Sequence, residues 1–161
     1  MFTNYEVSSV GRVRNSKTGR VLKPSDNNWG HLQVVLAKNG STKTFKVHRL
    51  VAETFIENPL SKRCVDHIDG NRRNNDIDNL RWASDSENQM NATKKRSNAS
   101  STHKGVSFHK ASNKWIAYAQ VDGVRKHLGY YATEIEAAES YNAAAIEHYG
   151  VFAKLNDLTT V

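Results

Sequence analysis

Residues 64–91 read C-V-D-H-I-D-G-N-R-R-N-N-D-I-D-N-L-R-W-A-S-D-S-E-N-Q-M-N. A short apolar run ends on Asp66 and His67, and a turn rich in Gly, Asn and Asp follows. A second short run, 79–83, leads into Ser84-x-x-Glu87, the spacing at which a Ser caps a helix and a Glu reaches back to its backbone. The pattern predicts strand, loop, strand and helix in one unit. Such a unit can bring Asp66, His67, Asn79 and Asn88 together. One hard carboxylate, one imidazole and two amides are the parts of a one-metal hydrolytic centre.

Rival readings are tested by spacing. An EF-hand loop turning at Gly70 needs oxygen ligands at positions 65 and 67, which are Val and His, so that reading fails. Zinc ligation by Cys64, His48 and His67 would need further ligands at unusual spacings. The bland alternative is an Asn/Asp-rich turn that satisfies its own backbone, and the residues alone leave it open.

The 161 residues carry 23 Lys and Arg against 16 Asp and Glu, a net charge of +7, and mean hydropathy is −0.68. Little material is left for one large core, so several small modules are expected. The charge is sorted along the chain. Residues 1–24 hold five bases and one acid, residues 93–127 eight bases and one acid, and residues 128–161 one base and five acids. Sorting of this kind points to a polyanionic partner, which the family resemblances given below imply to be double-stranded DNA. The one cysteine, Cys64, excludes an internal disulfide. No apolar run approaches membrane length and the N-terminus lacks a signal pattern, so an intracellular, cytoplasmic protein away from membranes is expected.

Upstream, residues 5–24 alternate apolar and polar side chains. They predict a hairpin of Val10–Arg14 with Arg20–Lys23, with Arg12, Arg14 and Lys23 on its polar face. Residues 31–37 and 43–47 read as two strands around an Asn39-Gly40 turn. His48–Ile56 has helical spacing and stops before Asn58-Pro59, with Leu50, Val51, Phe55 and Ile56 as its buried stripe and His48 as a structural residue at its start. Arg72 and Arg73 are candidate phosphate contacts in the loop, and Trp82 is a core wedge.

Residues 92–103 are polar and basic and read as a linker whose Lys94, Lys95 and Arg96 track a DNA backbone. The rest predicts three strands, Gly105–Lys110, Lys114–Val121 and Val124–Tyr130, and a helix opened by the capping box Thr133-x-x-Glu136. Ala137, Ala138, Tyr141, Ala144 and Ala145 form the helical stripe. It would lie on the Trp115, Ala117, Ala119 and Val121 face of the sheet, leaving the face of Ile116, Tyr118 and Gln120 open. The fold class is α+β.

The run H-R-L-V-A-x-x-F-I-x-N-P, then V-D-H-I-D-G-N-x-x-N-N-x-x-x-N-L-x-W, then E-N, resembles the HNH family of phage and intron homing endonucleases over roughly residues 45–91. That resemblance implies a ββα-metal module with one divalent ion, Mg²⁺ or Mn²⁺. It makes Asp66 and Asn88 the metal ligands, His67 the general base and Asn79 the residue whose side-chain oxygen orients the histidine. It further implies cleavage that leaves a 3′-hydroxyl and a 5′-phosphate, and a cytoplasmic setting in a bacterial or phage-infected cell. One centre in a monomer predicts a nick.

Residues 5–24 resemble a motif that accompanies phage-type nucleases. Residues 104–156 resemble the Apetala/ethylene-response DNA-binding domain in G-V, K-W-x-A, L-G, E-A-A-x-x-Y-N-x-A-A and F-A-x-L-N. Contact positions of that family fall on Lys104, Ser107, His109, Tyr118, Gln120, Arg125 and His127, with Arg125 suited to a bidentate guanine contact. Four segments are expected: a DNA-contacting hairpin motif (1–24), a nuclease domain (25–91), a linker (92–103) and a DNA-binding domain (104–161).

Overall fold

The computed structural model describes residues 4–93 and 99–159, so Lys94, Lys95 and Arg96 lie outside the described residues. The chain divides into two compact units, 1–85 and 86–161. No helix among the described residues is long and apolar enough to cross a membrane.

The first unit is built from small sheets around one helix. A hairpin pairs β1 (Tyr5–Val7) with β2 (Val13–Asn15). A three-stranded antiparallel sheet has the order β3 (Ser25–Asp26), β4 (Leu32–Lys38), β5 (Ser41–Lys46). Helix α1 (Val47–Phe55) follows, and then the antiparallel hairpin of β6 (Cys64–His67) and β7 (Leu80–Ala83). Asn39 takes φ 51°, the left-handed conformation that the β4–β5 turn requires and that Asn tolerates. One core joins every part, drawing Val13 from β2, Val34 and Leu36 from β4, Val47, Val51 and Ala52 from α1, Val65 from β6 and Leu80 from β7. The N-terminal hairpin therefore shares its core with residues 25–85, because three-residue strands cannot bury enough apolar surface by themselves.

Two local expectations shift. The N-terminal hairpin pairs β2 with β1 on one edge, and the expected 20–23 stretch lies along the other through the bridge Arg14–Val21, with Asn15 N–H donating to the Arg20 carbonyl (2.9 Å) and Leu22 N–H to the Val13 carbonyl (2.8 Å). A tight turn closed by Ser8 N–H to the Arg12 carbonyl (2.8 Å) sets the β1–β2 pairing and leaves Val10 exposed. Helix α1 starts one residue earlier than the spacing suggested. Its buried stripe is Val47, His48, Val51 and Ala52, while Phe55 is 42% exposed. Trp82 is half-buried, with its indole N–H donating to the Ile56 carbonyl at 3.0 Å.

The second unit holds most of α2 (Asp85–Asn91), then β8 (Val106–His109), β9 (Lys114–Val121) and β10 (Val124–Tyr131) in the sheet order β10–β9–β8, and α3 (Glu134–Tyr149). The α3 capping box forms as the sequence predicts: Glu136 N–H donates to Thr133 Oγ1, and the Glu136 carboxylate accepts from Thr133 N–H. Ala137, Ala138, Tyr141, Ala144 and Ala145 pack with Ala117 and Ala119 of β9, as expected for a helix whose small side chains let it lie close on a sheet. Asn156 closes the unit. Its side chain accepts from Lys104 N–H (2.6 Å) and donates to the Lys104 carbonyl (3.0 Å). Its own backbone is held by the Asn142 amide at 2.7 and 3.0 Å.

Candidate active site

Strand β6 ends on Asp66 and His67, both buried at 4% and 5% exposure. Antiparallel register sets Asp66 across from Arg81 and His67 across from Leu80. Arg81 donates to Asp66 Oδ2 through Nε (2.8 Å) and a terminal nitrogen (2.7 Å), and only 18% of the arginine side chain is exposed. Both bonds fall on Oδ2. A buried carboxylate in contact with a guanidinium is the expected state, since an unpaired charge there would be strongly penalised.

His67 has different surroundings. Its Nε2 lies 3.3 Å from Asn75 Oδ1. The Asn75 amide donates through Nδ2 to the Arg73 carbonyl (3.0 Å), which fixes the oxygen toward the ring. Nε2 therefore carries the proton and Nδ1 is the basic nitrogen. Burial lowers the His67 pKa most, against the Asn75 hydrogen bond and the charges of Asp69 and Asp66, which raise it. The net shift is downward, so the imidazole is neutral near pH 7 and able to accept a proton.

Asn79 acts one step behind. Its Oδ1 accepts from Asp69 N–H (3.0 Å), and its Nδ2 donates to Asp69 Oδ1 (3.0 Å) and the Asn74 carbonyl (2.9 Å). It thus ties together the ends of the 69–79 loop that carries Asn75. Burial would raise the Asp69 pKa, but hydrogen bonds from Asn74, Asn71 and Asn79 bring it below the usual carboxylate range. The N-terminal hairpin supports this loop too. Ile77 N–H donates to the Ser9 carbonyl (2.8 Å), and Gly11 (φ 78°) packs so closely that a Cβ there would stand 2.9 Å from Asn75 Cβ and 3.0 Å from Val47. No residue with a side chain fits at that contact.

Four residues near His67 and Asp66, namely Arg81, Asn75, His31 and His48, were not among the site residues the sequence suggests. Arg81 could have been found by pairing the two predicted strands, which sets it across from Asp66. His31 and His48 come from outside the β6–β7 hairpin, and no spacing rule connects them with His67. The ring centroids lie 4.8 Å apart for His31–His48, 5.0 Å for His48–His67 and 5.8 Å for His31–His67. Burial, followed by the charges of Arg72, Lys46 and His67, lowers the His31 pKa to about 4. Burial, followed chiefly by His67 and His31, lowers that of His48 to about 3.

The candidate DNA contacts divide into two groups. Arg12 and Lys23 are exposed, and Arg14 pairs with Glu6 at 2.6 Å on the surface. Arg72 donates to the Trp29 carbonyl (2.7 Å) and Arg73 to the Asp26 carboxylate (2.7 and 2.8 Å), so both pin the loop to the β3–β4 region. Lys104 is half-buried, and its ammonium donates to the carbonyls of Gln89 and Met90 at the C-terminal end of α2. A cation neutralising helix-end carbonyls is a structural role. Burial, then Lys154, lowers its pKa to about 8.

In the second unit, β-register sets Ser107, His109, Tyr118, Gln120, Arg125 and His127 on one sheet face. The Arg125 guanidinium stacks 3.8 Å from the Tyr118 ring centroid, and Tyr118 contacts His127 at 5.2 Å. Ile116 at the centre of this face is buried, while Arg125 and His127 are exposed. Asn88 stands exposed on α2.

A model of the HNH endonuclease family matches residues 45–90, and the NUMOD4 motif matches residues 1–37. An uncharacterized HNH endonuclease of Acanthamoeba polyphaga mimivirus is 47% identical over 92 residues, covering 57% of this chain and 28% of the relative. DNA endonuclease I-HmuI of Bacillus phage SP01 is 44% identical over 90 residues, covering 54% of this chain and 52% of the relative. The chain thus spans at most about half the length of either curated relative. A solved structure of the HNH homing endonuclease I-HmuI, described as showing DNA binding and cleavage, is similar with a TM-score of 0.52 at 35% identity. That likeness covers 91% of this chain and 78% of the other. By sequence and by fold over most of its length, the chain belongs to the HNH endonuclease family.

Proposed function

We propose that the protein is a site-specific DNA endonuclease of the homing type that nicks double-stranded DNA with one divalent metal ion. The observation that carries the reading is a buried imidazole at the end of β6, oriented by Asn75 and adjacent in sequence to the Asp66 carboxylate. Asp66 and Asn88 are the oxygen donors for the ion, and hard oxygen donors suit Mg²⁺ or Mn²⁺. The Arg81 bonds use one oxygen of Asp66, so the other is not taken by that pairing. When bound, the metal supplies Lewis-acid stabilisation of charge on the phosphate and the departing oxygen.

His67 takes the proton of the attacking water at Nδ1, while Nε2–H stays anchored on Asn75. Asn79 holds the loop that holds Asn75. Hydrolysis in this arrangement leaves a 3′-hydroxyl and a 5′-phosphate, and a monomer with one centre cuts one strand. Arg12, Arg14 and Lys23 meet phosphates on one side of the cut, and the basic 94–96 run follows the backbone. The sheet face of Ser107, His109, Tyr118, Gln120, Arg125 and His127 reads the duplex in the manner of an Apetala-type domain. Arg72, Arg73 and Lys104 contribute by positioning, given their protein partners.

Supercoiled plasmid carrying the host locus, incubated with Mg²⁺, Mn²⁺ or EDTA, tests the reading. Wild type should give metal-dependent open circles, and His67→Ala should bind DNA equally without cutting. Tight specific binding with no cleavage under any metal would replace the enzyme with a DNA-binding regulator.

A further inference from the structure

Apart from the oxygen donors assigned to the catalytic ion, the first unit gathers three imidazoles from three places in the chain. His31 precedes β4, His48 stands in the first turn of α1, and His67 ends β6. Each offers a ring nitrogen, and the three nitrogens lie within 4.8 Å of one another. His31 and His48 each also carry an Nδ1 that is buried and has no hydrogen-bond partner among the described residues. Buried polar atoms in folded proteins are almost always satisfied, so two orphaned imidazole nitrogens on neighbouring rings point to a missing partner.

We propose that His31, His48 and His67 form a site for one borderline-soft transition ion of the zinc class, and that its occupancy switches the nuclease off by taking the lone pair of His67. Three neutral imidazoles with a water in the fourth position are a common zinc donor set, and Mg²⁺ has little affinity for nitrogen. A four-coordinate ion with bonds of about 2.0–2.1 Å needs nitrogens about 3.3 Å apart, so the rings must close in through small rotations. Partial burial of His31 leaves one edge of the cluster accessible. Lys46, Arg72 and Arg49 oppose a cation there, and Asp69 and Asp66 favour it. The two arginines and the lysine are surface groups whose repulsion water and salt screen. The ion inhibits because an imidazole nitrogen that binds metal cannot also take a proton from water. That second half rests on the nuclease reading above, whereas the binding site does not.

The test uses the full chain with Mg²⁺ in excess, which keeps the oxygen donors supplied with their own ion. Co²⁺ is titrated as the spectroscopic stand-in for Zn²⁺. The expected result is the intense visible absorption of tetrahedral cobalt, saturating at one ion per chain. His31→Gln should weaken that binding by more than the ~10–100-fold lost with a merely supporting partner. In the plasmid assay, stoichiometric Zn²⁺ should stop Mg²⁺-supported nicking by wild type. His31→Gln, scored against its own zinc-free rate of nicking, should resist Zn²⁺ to a concentration at least tenfold higher than wild type does. Absent tetrahedral absorption in wild type, or absorption unaffected by His31→Gln, overturns the site. Tetrahedral binding without inhibition overturns the switch and counts against His67 as the base. A chain with no nuclease activity still gives the spectroscopic answer, so the two readings fail separately.

Discussion

Replacing Arg81 with Met removes the guanidinium from Asp66 while keeping most of the volume. The carboxylate is then left 4% exposed with its arginine gone. Breaking a buried ion pair by deleting one partner costs about 3–5 kcal/mol. Arg81 is 18% exposed, so water can follow the lost side chain to some extent, and the lower end, about 3 kcal/mol, applies. For a unit of this size that lowers Tm by ~12–24 °C. The double variant Arg81→Met with Asp66→Asn should recover most of the loss, because no charge is left to desolvate. Urea unfolding followed by tryptophan fluorescence reads this directly, since Trp82 is the neighbour of Arg81 in β7. Under 1 kcal/mol for Arg81→Met, or a double variant no better than the single, would show that water reaches Asp66 freely and that the pair is ordinary surface electrostatics.

Acid should weaken the first unit. His48 and His31 titrate at about 3 and about 4 in the fold, because burial disfavours their charged forms, against an ordinary value near 6.5. The unfolded chain therefore takes up protons first, so the stability is fully present above pH 6.5 and is lost as pH falls toward 4 and then 3. His48 alone should remove roughly 2 kcal/mol by pH 5, with His31 adding in the same direction. Equal urea midpoints at pH 7.5 and 5.0 in EDTA would contradict this. Gly11→Ala should cost about 1–3 kcal/mol from backbone strain and should slow cleavage beyond that, by displacing Asn75 from His67. A variant as active and as stable as wild type would mean the turn has room to move. Arg125→Ala should cost about 1–3 kcal/mol in binding to target DNA and much less on scrambled DNA. An equal loss on both would make it a phosphate contact.

The hairpin turns, the α3 capping box and its alanine stripe were legible because each depends on residues close in sequence. Asn39-Gly40, Thr133 with Glu136, and the i, i+3, i+4 alanines state their structure locally. The N-terminal segment was half legible: the 20–23 stretch meets β2 as its alternation implies, while the other edge of β2 takes Tyr5–Val7, a partner brought in by the Ser8–Arg12 turn. At the site, Asp66 and His67 stood out as residue types, but their partners did not. Arg81 is reached through strand register, and His31, His48 and Asn75 through tertiary packing. Such neighbours carry no period and no spacing. The same holds for the carbonyl and carboxylate partners of Arg72, Arg73 and Lys104, which only tertiary packing supplies.

The Asn156 clamp sets an order in which the protein comes into being. Its partners, Lys104 and Asn142, leave the ribosome well before it does. A chain grows at ~5–20 residues per second, and domains fold as units once their residues are available. The β6–β7 hairpin and its core need nothing beyond residue 85, so the first unit can complete itself while the second is still being synthesised. The sheet that bears Arg125 waits for Asn156 to fasten it. During synthesis there is accordingly an interval in which the hydrolytic residues of β6 are already assembled while the proposed reading surface is still open.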